Sequence, residues 1–173
     1  VALGIAMPLA LAACSVSTPS PTLTAATSAP ATAAASSPAA STPSQPTLDT
    51  KVTEAVLNTY IGYWAARVAA QAHPTKAIPK ELATFAVDKA AADVASSVTL
   101  FRQQGIEVRG KPVLSPRVVS VSSGDPATAS ITDCVDSSNW TPVFAATGKS
   151  ALPPGQPKRV VVESTASTYA GRW

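Results

Sequence analysis

Helical spacing of apolar residues up to Gly105, and two-residue alternation after it, predict an α+β domain with its helices first. A second observation sets the limits of that domain. None of the thirteen basic or ten acidic residues lies before Asp49. The chain therefore joins a charge-free arm, 1–48, to a mixed-charge segment, 49–173, long enough to bury one core. The expected architecture is a set of N-terminal helices packed on an antiparallel sheet, preceded by a disordered tether. The net charge of +3 and pI near 9.0 come from scattered residues. Without a basic run they do not make a nucleic-acid footprint.

The first helix is expected over Asp49–Ala72. Val52, Val56, Leu57, Tyr60, Ile61, Trp64 and Val68 form one apolar stripe at helical spacing. Asp49 or Thr50 can cap it, Glu54 suits its first turn, and His73-Pro74 ends it. Tyr60, Tyr63 and Trp64 put much of the aromatic surface on this helix, where core packing is the first explanation and a ligand-facing wall the second. A short helix follows at Pro79–Ala86, with Pro79 in its first turn. A longer one runs over Asp88–Gln104, with Val87, Ala91, Val94, Val98 and Phe101 marking its buried side. Gly105 suits the left-handed position just past its end, where Ile106 can fold back on Phe101.

Strands are expected at Ile106–Leu114 and Arg117–Ser122, interrupted by Gly110, Pro112 and Pro116. Ser123-Gly124-Asp125-Pro126 is a turn. Ala127–Val135 then alternates: Ala127, Ala129, Ile131, Asp133 and Val135 on one side, Thr128, Ser130, Thr132 and Cys134 on the other. Asn139–Phe144 is a short strand, and Lys158–Ser167, with its three valines, a longer one. Tyr169–Trp173 reads as a turn entering a further strand.

Ser15–Leu48 is almost wholly Ala, Ser, Thr and Pro. Such a composition cannot offset the entropy of folding, and its prolines favour extended conformations. A flexible tether of this length spans roughly 30 Å. Before it, the apolar run Val1–Ala13 closes on Leu11-Ala12-Ala13-Cys14 and resembles a bacterial lipobox. The resemblance implies that the Cys14 thiol takes a diacylglycerol and that the preceding peptide is cut away. Residues 1–14 then read as a signal peptide truncated at its start, since Val1 already lies in the apolar region. A transmembrane helix would need about 20 apolar residues. Pro8 and the polar tract after Cys14 argue against one.

The segment with Tyr63-Trp64, then Phe101-Arg102-Gln103-Gln104-Gly105-Ile106-Glu107-Val108-Arg109-Gly110, then Ala127–Trp140 with Thr132-Asp133-Cys134-Val135-Asp136, resembles secreted lipoproteins of high-GC Gram-positive bacteria. Their C-terminal domain is similar to the nuclear transport factor 2-like (SnoaL-like) fold. The resemblance implies a cone, in which helices pack into a curved antiparallel sheet around a cavity, over 49–173. Relatives continue into a last strand, so the domain is expected to be C-terminally incomplete.

Chemical motifs are few. Gly148-Lys149-Ser150 lacks the glycine a phosphate loop needs five residues earlier, where Val143 stands. One histidine, His73, and one cysteine beyond Cys14 do not make a zinc site. His73 reads as a surface residue at a helix end, and Asp136 as a turn carboxylate. No metal or cofactor is expected.

Asp133 has two readings. Facing the core or a cavity, it is a candidate general base for an isomerase or dehydratase. If the strand bulges or ends near it, it is a hydrogen-bonded residue at the rim, and this is the reading carried forward. Cys134 lacks a basic neighbour that would activate it. It is a disulfide candidate with a partner expected beyond Trp173. Tyr60, Trp64 and Asp133 are the candidate cavity-lining residues.

The expectation is thus a lipid-anchored, extracytoplasmic lipoprotein whose head binds a small apolar ligand or an envelope protein without catalysis. The alternative is a cavity enzyme with Asp133 as base.

Overall fold

Asp49 opens the first helix, α1 (Thr50–Ala72), by accepting the Val52 backbone N–H on Oδ1 at 3.0 Å. This satisfies one of the unpaired donors at the helix start. Glu54 falls beyond the first turn. The computed structural model describes residues 48–173. The signal peptide, Cys14 and nearly all of the tether lie outside them.

The core has two parts, and α1 contributes to both. Val56, Tyr60 and Trp64, each one helical step of four from the next, pack with Ala129, Ile131 and Val135. Ala66 and Ala70 pack with Leu82, Ala86, Val94 and Val98. Ile61, expected in the apolar stripe, is 49% exposed. It follows Tyr60 directly, and one residue turns a side chain about 100° around the helix.

The helix expected over Pro79–Ala86 is one turn, α2 (Leu82–Phe85). Leu82, Ala83 and Thr84 donate to the carbonyls three residues back, at Pro79, Lys80 and Glu81. That tight winding does not extend into a longer helix. The third helix, α3 (Asp88–Gln104), has the expected bounds. Val87 is its N-cap, in extended backbone, and is 45% exposed rather than buried. Gly105, at φ 65°, donates its N–H to Phe101 and Arg102 carbonyls and ends the helix in the left-handed region. Two side-chain bonds hold α3 to α1 and the loop after it. Gln71 Nε2 donates to Ser97 Oγ at 2.9 Å, and Arg102 Nε donates to the Pro74 carbonyl at 2.7 Å.

Five strands follow: β1 (Ile106–Gly110), β2 (Arg117–Ser122), β3 (Thr128–Asp136), β4 (Trp140–Phe144) and β5 (Arg159–Ser167). All pairings are antiparallel, so the fold is α+β. The strands divide into two sheets, β1-β4 and β2-β3-β5, where one continuous sheet was expected. The cause is local. β1 stops at Gly110 rather than Leu114, because Gly110 turns the backbone at φ 80° and Pro112 lacks an amide donor. Val113 and Asp136 then exchange both backbone hydrogen bonds, each 2.9 Å, and pin the segment between β1 and β2 to the end of β3.

β3 is the centre of the larger sheet. It keeps register with β5 along its whole length, from Thr128↔Ser167 to Asp136↔Arg159. On its other side β2 carries a bulge between Val118 and Ser120, and Val119 is left 49% exposed.

Gly110 pairs with Trp140 across the small sheet. A Cβ at Gly110 would collide with the Asn139 carbonyl oxygen, which is backbone and cannot swing aside. Gly110→Ala is therefore expected to cost more than about 1 kcal/mol. Urea unfolding should show a lower midpoint, with helix content unchanged in the absence of denaturant.

Candidate functional site

The alternation of β3 turns every second residue inward. Ala129, Ile131 and Val135 carry that pattern as apolar residues, and Asp133 occupies the same face with no exposure at all. A carboxylate so enclosed must find donors. Tyr60, on the sheet-facing side of α1, donates its hydroxyl to Oδ2 at 3.0 Å. Ser115, in the turn between β1 and β2, donates its backbone N–H to Oδ1 at 2.6 Å. Both oxygens are engaged.

The expectation of a rim position for Asp133 is corrected. β3 runs on to Asp136, and Asp133 pairs with Val162 without a bulge. The buried acid is held by α1 and by the turn before β2, neither of which adjoins it in sequence.

Burial is the main reason the Tyr60 hydroxyl is pushed well above the ordinary tyrosine range, with the Asp133 carboxylate adding to it. Tyr60 therefore stays protonated as a donor through neutral and mildly alkaline pH. Beside it, Trp64 is also nearly enclosed. The Trp64 ring meets Tyr60 at 6.3 Å, Tyr63 at 6.2 Å and Trp140 of β4 at 5.5 Å, each edge to face. Such contacts add to the stabilisation that burial of the rings supplies. Arg67 lies over two of these rings, its guanidinium carbon 4.8 Å from the centre of Trp64 and 5.3 Å from that of Trp140.

Tyr60, Trp64 and Asp133, the three candidate cavity-lining residues, are thus brought together, but inside a packed core. Chemically the group is a tie. A carboxylate with both oxygens bonded and a phenol held protonated have no face toward a substrate. An open hollow of about 430 Å³ lies elsewhere, on the outer side of α3, lined by Ala95, Ser96, Thr99, Leu100 and Gln103. None of its lining residues carries a charge.

Cys134 points to the opposite side of β3 and is half-buried. It is disulfide-bonded, so a reactive thiol is ruled out there. It is the only cysteine among the described residues. His73 is the exposed residue that ends α1. Asp136, expected in a turn, is instead the last residue of β3, and its carboxylate reaches into the turn that follows, accepting the Ser138 N–H at 2.9 Å and Arg159 Nε at 2.9 Å. The Ser138 hydroxyl and N–H, with the Arg159 guanidinium, lower its pKa to about 2. Among the described residues no three His, Cys, Asp or Glu side chains gather as metal ligands. Nor is any described helix long and apolar enough to cross a membrane.

Sequence reasoning missed Arg67, Ser115 and the core role of Trp140. Arg67 stands three residues after Trp64 on α1, a spacing that puts the two on one face. That spacing was the available signal. Ser115 contributes only its backbone N–H, which no side-chain pattern can show. No family model, curated protein or solved structure matches the chain.

The Tyr60 hydroxyl gives a pH test with a definite sign. Its pKa is raised in the folded state, so its contribution is fully present below the unfolded value of 10.0 and is lost as pH climbs above it. Wild-type stability should therefore fall between pH 10 and pH 11 more steeply than that of Tyr60→Phe. Urea midpoints measured across that interval check the difference.

Proposed function

We propose that the chain is a lipid-anchored, extracytoplasmic lipoprotein whose head, 49–173, acts by binding rather than by catalysis. The lipobox-like Leu11-Ala12-Ala13-Cys14 supplies the membrane anchor through Cys14. Ser15–Leu48 supplies reach, and the head presents a surface to a small apolar ligand or an envelope protein. The order of elements supports a distant likeness to the SnoaL-like cone. Three helices precede five antiparallel strands in two sheets, which would stand for the curved wall.

One observation carries the non-catalytic reading. Asp133, the acid that a cavity isomerase or dehydratase would use as its base, is wholly enclosed and has both oxygens occupied by Tyr60 and Ser115. A general base must come within hydrogen-bond reach of the proton it takes. Asp133 is committed to holding α1 against β3 instead.

The anchor is tested by fractionation of cells that export the protein. The wild type is expected in the membrane fraction. Cys14→Ser should appear in the medium, or remain unprocessed. Processed Cys14→Ser protein held in the membrane as firmly as the wild type contradicts the anchor. Cys14 is the chain's other cysteine, and a sulfur in a diacylglyceryl thioether cannot also close a disulfide with Cys134. Peptide mapping of the exported protein separates those two fates of Cys14.

A further inference from the structure

Enclosed polar atoms in folded proteins are nearly always paired. The contact between α1 and the start of β4 departs from that rule twice in one place. Trp140 Nε1 and Arg67 Nε are both enclosed with no protein acceptor, whereas Trp64 Nε1 beside them lies close enough to the Tyr60 hydroxyl to lower its pKa against the larger effect of burial. The three side chains also touch one another. The indoles meet at 5.5 Å, and the guanidinium lies over both. The ion pairs among the described residues join Lys89 to Asp93, Arg109 to Glu107 and Arg159 to Asp136, so none neutralises Arg67. The cluster therefore holds one positive charge and two donors, Trp140 Nε1 and Arg67 Nε, that no protein acceptor takes.

We propose that Arg67, Trp64 and Trp140 form a receiving site for the carboxylate of a ligand with a flat or apolar body. The argument is one of complementarity. A guanidinium presents parallel N–H donors that match a carboxylate, and charge-assisted bonds of this kind are the strong ones. The two indole rings beside the guanidinium attract its charge and leave it weakly hydrated. The same indoles offer an apolar flank, which suits an organic acid better than an inorganic anion. Access is from the side of Arg67 and Trp140, both of which are only half-buried. Trp140 is the first residue of β4, directly after the turn at Ser137–Asn139. Because the donors are enclosed, binding requires the Trp140 ring to shift and uncover the Arg67 Nε–H, which would couple binding to tryptophan emission.

This deepens the binding reading of the head by naming a ligand class, and it rests on that reading. It uses residues other than Asp133, so the two can fail separately. Turnover that depends on Asp133 would overturn the binding reading, whereas loss of the carboxylate site would leave that reading standing.

The test uses the full chain carrying Trp173→Phe, which leaves Trp64 and Trp140 as the two emitters. Benzoate is the probe, and benzyl alcohol is its uncharged counterpart. Benzoate is expected to change the emission saturably at constant ionic strength, and benzyl alcohol to do so at least about tenfold more weakly. Arg67→Met, which keeps the apolar stem, should weaken benzoate binding by at least the same factor. Arg67→Lys, which keeps the charge but not the fork, should weaken it less. If Arg67→Met fails to fold, Trp140→Phe retains a ring without the N–H donor and should still lower benzoate affinity several-fold. Equal responses to benzoate and benzyl alcohol, no saturable response to benzoate, or benzoate binding unchanged in the folded variants would overturn the proposal.

Discussion

The enclosed carboxylate of Asp133 is the constraint around which the head is arranged. It sits on the central strand, on the face that meets α1, and has no access to water. An ionised group in that position is tolerable only if donors are delivered to it. One comes from Tyr60, 73 residues earlier, and one from the Ser115 backbone, 18 residues earlier. The bonds thereby fix the rotation of α1 over the sheet and the path of the chain between β1 and β2. Hydrophobic contact alone sets neither so narrowly, because Val56, Tyr60 and Trp64 could slide over Ala129, Ile131 and Val135 at small cost. A polar group that must be satisfied adds specificity as well as attachment.

The second feature of α1 is that it is buried on two sides. Its sheet-facing side is large, with Val56, Tyr60 and Trp64. Its helix-facing side is small, with Ala66 and Ala70, and Gly62 lies so close to the Phe85 ring that a Cβ there would displace it. The small side lets α2 and α3 approach, and the large side fills the space above the sheet. This division places Arg67 and Trp64 at the seam where Trp140 arrives from β4.

Much of the fold was legible because its signals are local. Asp49 as a cap, Gly105 as a stop and the bounds of α3 follow from a few adjacent residues each, and the inward side of β3 follows from simple alternation. Other features depend on pairings that cross the chain. The division into two sheets turns on β1 finding β4 rather than β2, which no window around Gly110 records. Alanines at 66 and 70 carry too little apolar contrast to announce a buried face. For the candidate site, Tyr60, Trp64 and Asp133 were each visible as inward-facing residues, but their grouping as a tie was not. The rim reading of Asp133 failed because its partners are distant in sequence. Arg67 was passed over because a lone arginine on a long helix reads as solvated unless the indoles beside it are known.

The central claim is that Tyr60 and Asp133 act together as a structural tie. A double-mutant cycle measures it directly, with Tyr60→Phe, Asp133→Asn and the double variant unfolded in urea at neutral pH. The account predicts that each single variant loses stability and that the double variant loses less than their sum, by about 0.5–3 kcal/mol. Additive losses, or single variants as stable as the wild type, would contradict it.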